Sequence, residues 1–311
     1  MPVVTVQRGI GRTGAGKTPA LSQSIRESAR KFFASENHCD CVAALIFLHI
    51  PKTAGTTLNR IIEWQYDPRL IFTVDPHRFR ATVKRFHTFS EERRRSYQLV
   101  RGHLVYGIHE LLPQRATYIT MLRDPVSRFL SSYQFILRRP LHPLHRKMKK
   151  QRLAPQDLIR LTPESQNLQC RFISGIGKGG RCDERVLEMA KANLKSSFRV
   201  VGLSERFHES LLLMIAAFGW KVPFYENHKV AKVRPAVDAG VAELIREHNR
   251  LDVELYQFAY ELFEAQLRQN QEVVARLSSA MACRKPTPPE KFYYSSLGLA
   301  RFLTSKVGSA L

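Results

Sequence analysis

The chain reads as an α/β protein, a parallel β-sheet flanked by helices, and three observations predict it. Two short runs, 45–50 (LIFLHI) and 116–122 (ATYITML), have the apolar and β-branched content of buried parallel strands. Each is followed at once by a polar turn and then by a segment whose apolar residues recur at helical spacing. The length, 311 residues, is enough to bury one full core. A single domain over 42–283 is therefore expected, after a flexible basic leader (1–41) and before a tail (284–311) that the sequence does not assign.

The leader holds a trap. Gly11 to Thr18, GRTGAGKT, fits the Walker A expression G-x-x-x-x-G-K-[ST] letter for letter. The run before it is short for a buried strand, Pro19 follows at once, and 21–33 is mostly polar. The match is read as an accident of composition, and it supports only an alternative, a P-loop NTPase or kinase.

The first strand of the domain is expected at 43–49. Pro51 ends its ladder, and Lys52, Thr53, Ala54, Gly55, Thr56 and Thr57 form a small polar loop. Thr56 or Thr57 is placed to cap a helix that begins at Leu58, with apolar residues at 58, 61 and 62. A strand, a tight loop and a helix N-terminus aim backbone N–H groups and the positive end of the helix dipole at one point, which binds an anion. Lys52 adds a mobile charge there. Gly55 is expected to let the backbone approach the anion, and the threonine hydroxyls to donate to it.

Further along, 70–74 reads as a second strand and Arg93 to Arg95 as a solvated helix face. Residues 97–106 alternate like a strand ending in Gly102-His103. After the strand 116–122, Asp124 is a natural N-cap and Pro125 a natural first helical residue. The helix 126–137 carries Val126, Phe129, Leu130, Tyr133 and Leu137 on its core stripe, with Ser127 and Ser131 on another face. The stretch 138–160 is basic and punctuated by Pro140, Pro143 and Pro155, and is read as an excursion with no element assigned. The glycine-rich turn 175–180 lacks a preceding strand, which weakens a dinucleotide-loop reading. A helix at 183–197, a strand at 198–202, an apolar helix at 205–218 and one long helix at 237–269 complete the pattern.

Lys and Arg number 49 against 27 Asp and Glu, a net charge of +22. Such a field favours polyanionic partners: a nucleotide, an acidic polysaccharide, nucleic acid or an anionic membrane surface. A basic nucleic-acid-binding protein is thus a second alternative. No apolar run approaches the roughly 20 residues that span a bilayer, so a cytoplasmic protein, or one peripheral at the membrane, is expected. Five cysteines (39, 41, 170, 182 and 283) form no metal-like array, in keeping with a reducing compartment.

The loop HIPKTAGTTL resembles the 5′-phosphosulfate loop of sulfotransferases that use 3′-phosphoadenosine 5′-phosphosulfate (PAPS), in particular the carbohydrate branch related to heparan sulfate 2-O- and 6-O-sulfotransferases. The segment 118–133, YITMLRDPVSRFLSSY, resembles the 3′-phosphate-binding strand, loop and helix of the same family. The resemblance implies a P-loop-like α/β architecture with PAPS as co-substrate and no metal. It also implies that Lys52 to Thr57 hold the 5′ end, while Arg123 and Ser131 hold the 3′-phosphate. Gly102-His103 resembles the segment that holds the family's catalytic base. His103 is thereby favoured among eleven histidines, with His109 as nearest rival and His49 as a packed neighbour. Lys52 is expected to stabilise the leaving phosphate.

The run 167–175, NLQCRFISG, is similar to one in bacterial relatives and is expected to line the cofactor or acceptor pocket. Lys229 and Lys232 fall where relatives carry a basic loop over the nucleotide. The excursion 138–160 is expected to border the cleft for an acidic or neutral saccharide acceptor. The implied function is sulfuryl transfer from PAPS to a hydroxyl, with no nucleic-acid partner. The resemblance covers about residues 45 to 266.

Overall fold

The computed structural model describes residues 44–75, 78–223 and 238–285. Strand β1 (Ala44–Leu48) is buried along its whole length, as its unbroken apolar run requires. Helix α1 (Gly55–Glu63) buries Leu58, Ile61 and Ile62. Next come β2 (Ile71–Val74), α2 (Phe79–His87), the basic α3 (Glu91–Ser96), β3 (Leu99–Gly102) and β4 (Ala116–Leu122). Helix α4 (Pro125–Leu137) starts as its sequence dictates: Asp124 accepts the Ser127 N–H at 2.7 Å and Pro125 is the first helical residue.

The chain continues through α5 (His145–Lys150), α6 (Pro155–Leu161), α7 (Leu168–Ser174), α8 (Glu184–Ser197), β5 (Phe198–Leu203) and α9 (Phe207–Phe218). It closes with α10 (Ala239–His248), α11 (Arg250–Gln269) and α12 (Gln271–Ala282).

The sheet order is β2-β3-β1-β4-β5, and every neighbouring pair is parallel. Leu48 at the end of β1 lies beside Gly102 of β3 on one side and Thr120 of β4 on the other. The chain fills one side of β1 first and then crosses to the other, so β1 and β4 flank the switch point where open α/β sheets bind ligands at their carboxyl ends. The main core packs around this sheet. A second apolar cluster joins α4, α5, α6 and α10 through Val126, Phe129, Ile136, Met148, Leu158, Ile159 and Ile245.

The structure corrects three local expectations and fills in one stretch. Helix α1 begins at Gly55, and neither Thr56 nor Thr57 caps it. Lys52 and Ala54 both adopt left-handed backbone angles (φ 72° and 62°), which turn the chain early and place the threonines inside the first helical turn. The excursion from 138, to which the sequence assigned no element, forms two short helices, with Met148, Leu158 and Ile159 as buried anchors under the basic surface. The long helix over 237–269 is two helices. They divide at Asn249, whose side chain donates to the Ile245 carbonyl (2.8 Å) and accepts the Asn167 N–H (3.0 Å). The helix expected from 205 starts at Phe207, after a 3-10 turn. No helix among the described residues is long and apolar enough to cross a membrane.

Candidate active site

Three adjacent strands, β3, β1 and β4, end at one edge of the sheet, and each delivers one candidate functional group just beyond its last residue. The loop after β1 carries Lys52 to Thr57. Its backbone is strained at Lys52 and Ala54, and strain of this kind persists only where surrounding structure holds it. Thr57 and Leu58 direct their N–H groups to the Ala54 carbonyl, at 3.0 and 3.4 Å. Gly55 and Thr56, the first two residues of the helix, have N–H groups with no acceptor inside it. This donor set, at the positive end of a helix, suits a phosphate or sulfate.

The Thr53 hydroxyl is fully buried and donates to the Ile50 carbonyl at 2.9 Å. Thr53 can therefore serve an anion only through its backbone. The Lys52 ammonium lies over the Phe135 ring of α4, 4.3 Å from the centroid. At a surface such a contact is worth about 0.5–1 kcal/mol, little enough for an anion to draw the lysine away.

Gly55 also serves the packing around it. A Cβ there would lie 2.0 Å from His49 Cδ2 and 2.1 Å from its Nε2. The missing side chain makes room for an imidazole. His49 stands just beyond β1, buried, with its backbone N–H on the Gly102 carbonyl at 3.0 Å. Its ring stacks on Phe47 and, at 4.3 Å, on His103.

Arg101 binds Glu63 (2.5 Å) and donates to Asn59 Oδ1 (3.3 Å), so Asn59 Nδ2 faces His49 Nδ1 at 3.1 Å and donates to it. His103 Nδ1 lies 2.9 Å from the His49 carbonyl. A carbonyl only accepts, so Nδ1 carries the proton and Nε2 of neutral His103 keeps the lone pair. His109 sits elsewhere. Its Nδ1 and backbone N–H meet the Tyr118 hydroxyl at 2.8 and 3.2 Å. Tyr118 is four residues short of the end of β4, roughly 13 Å down the strand from the site edge.

Arg123 follows β4 directly. Its Nη1 donates to the Lys52 carbonyl at 3.0 Å, which ties the two candidate anion-binding segments together across the switch point. Its Nε lies 3.7 Å from Glu205, which also accepts the Tyr256 hydroxyl at 3.0 Å. Burial, together with Glu205, pushes the Tyr256 phenol up. Ser131 lies partly buried in α4, among the first two turns beyond Arg123.

The run 167–175 packs behind this edge, with Leu168 to Ser174 buried. Gln169 is fully buried and its amide pairs with the backbone of Arg123. Asn167 accepts the N–H groups of Leu251 and Asp252, and so caps α11. Asp252 in turn accepts the N–H groups of Gln169 and Cys170 at the start of α7. Arg128 of α4, entirely buried, faces Asp252 at 4.0 Å. Burial pushes the Asp252 carboxyl up and the Arg128 guanidinium down. Asn59, Phe135, Glu205, Arg128 and Asp252 all escaped the sequence reading. Lys229 and Lys232, and the Gly11 to Thr18 motif, lie outside the described residues.

A five-stranded parallel sheet flanked by helices, with a candidate anion loop, an arginine and an imidazole at the ends of three adjacent strands, fits an α/β sulfotransferase fold. Comparison with known proteins agrees. The model of the galactose-3-O-sulfotransferase family matches residues 13–285, and the chain belongs to that family of sulfotransferase enzymes. It is 25% identical over 287 residues to heparan-sulfate 6-O-sulfotransferase 1 of Homo sapiens, covering 75% of this chain and 68% of the relative. It is 26% identical over 270 residues to heparan-sulfate 6-O-sulfotransferase 1 of Gallus gallus, covering 69% and 64%. Galactose-3-O-sulfotransferase 3 of Bos taurus is 26% identical over 234 residues, covering 68% of this chain and 54% of the relative.

Proposed function

We propose that this sulfotransferase moves a sulfuryl group from PAPS to a hydroxyl of a saccharide. The observation that supports the reading best is the Arg123 to Lys52 tie at the ends of β4 and β1, with His103 at the end of β3. On this assignment one edge offers two anion sites and a base. In this reading the N–H groups of Gly55 and Thr56 and the Lys52 ammonium hold the 5′-phosphosulfate, while Arg123 and Ser131 hold the 3′-phosphate by a planar fork and a hydroxyl.

His103 Nε2 takes the acceptor proton as the acceptor oxygen bonds to sulfur. Lys52 and the helix N-terminus meet the charge left on the 5′-phosphate when its bond to sulfur breaks. Positioning and preorganised charge carry such transfers. The names of the relatives, heparan sulfate and galactose, favour a saccharide acceptor. The basic surface of α5, with Arg146, Lys147, Lys149 and Lys150, favours an acidic one.

Calorimetry with adenosine 3′,5′-bisphosphate, ATP and AMP tests the reading. The bisphosphate is expected to bind most tightly. Equal affinities for all three would remove the 3′-phosphate site.

A further inference from the structure

Arg123 is the first residue past β4, where the ladder of the sheet ends and its backbone groups must find other partners. Both go to one side chain. Its N–H donates to Gln169 Oε1 at 2.9 Å, and its carbonyl accepts Gln169 Nε2, also at 2.9 Å. The buried carboxamide thus acts as one peptide unit of an extra strand, fixing the position and rotation of the Arg123 backbone.

Gln169 is itself anchored. Its own N–H donates to Asp252 at 3.1 Å, and Asp252 and Asn167 cap each other's helices. The whole of α11 and α7 thus stands behind one residue of the proposed 3′-phosphate site. A plain core glutamine needs partners, but it has no need to take both backbone groups of the arginine assigned above to the 3′-phosphate.

From this we infer that Gln169 is a positioning residue for the 3′-phosphate. It sets the origin of the Arg123 guanidinium, and so the selectivity for a nucleotide phosphorylated at the 3′ position over one that is not. The inference rests on the function proposed above.

The test is the affinity ratio of adenosine 3′,5′-bisphosphate to AMP, measured by calorimetry on the full chain. Gln169→Met keeps the volume and removes both hydrogen bonds. It is expected to lower the ratio on the order of tenfold, about the worth of one charge-assisted hydrogen bond, while AMP affinity changes little. Gln169→Glu keeps the acceptor for the Arg123 N–H and is expected to recover part of the ratio. It also serves as the readout should the methionine variant fail to fold.

In an Arg123→Ala background, Gln169→Met is expected to change the ratio no further, because the two act through one group. A folded Gln169 variant with an unaltered ratio, or one that loses both ligands equally, overturns the inference. If Arg123→Ala itself leaves the ratio intact, the 3′-phosphate site fails first and the inference fails with it.

Discussion

Gly55→Ala adds a single methyl group at the first residue of α1, and local propensity and tertiary structure disagree about its sign. Inside a helix, alanine is favoured over glycine by about 0.8–1 kcal/mol. The structure predicts the reverse. The new Cβ would stand 2.0 Å from His49 Cδ2, against an ordinary contact that begins near 3.4 Å, so the ring must retreat by about 1.4 Å. It has little room to do so. Phe47 and His103 stack on it, Asn59 holds its Nδ1, and its backbone is bonded to Gly102.

Overpacking of this kind costs about 1–3 kcal/mol, and each kcal/mol lowers the melting temperature of a domain this size by roughly 2–4 °C. Because His103 is stacked on the displaced ring and bonded to the His49 carbonyl, turnover is expected to fall on the order of 10²-fold, as for a misplacement of about 1 Å. Thermal unfolding and initial-rate kinetics read the two effects separately. An alanine variant that melts at or above the wild-type temperature and turns over normally would refute the packing argument.

Two further outcomes follow from the same geometry. His103→Ala is expected to lower kcat by about 10²- to 10⁴-fold with bisphosphate binding retained, whereas His109→Ala, bonded to Tyr118 away from the edge, changes kcat little. Kinetics in which the His109 variant is the inactive one would reassign the base. Asp252→Asn strands the buried Arg128 cation and is expected to cost about 3–5 kcal/mol in chemical denaturation, part of which Arg128→Met should restore. A loss below about 1 kcal/mol would mean that the pair is not charged as drawn.

Much of the frame around the candidate site was legible because its parts are local. The apolar runs at 45–50 and 116–122, the polar turn after each and the Asp124-Pro125 helix start all lie within a few residues of one another. Short-range sterics, capping and periodicity are enough to place them, and parallel pairing of β1 with β4 then brings Lys52 and Arg123 together. The family resemblance rested on those same stretches.

What escaped depends on partners distant in the chain. The hydrogen bonds from Arg123 to Gln169 and from Gln169 to Asp252 join residues 46 and 83 positions apart. The same holds for the bond from Asn167 to Asn249, 82 positions away, at the point where an otherwise continuous helical pattern divides. Periodicity carries no information about such pairs, since a buried glutamine or asparagine looks like a polar surface residue until its partner is placed.

Gly55 shows the boundary most clearly. Its sequence context called for a glycine beside an anion, and that expectation came from the loop alone. Only the tertiary structure supplied the imidazole of His49, six residues earlier, folded back across the loop into the space that a side chain would fill.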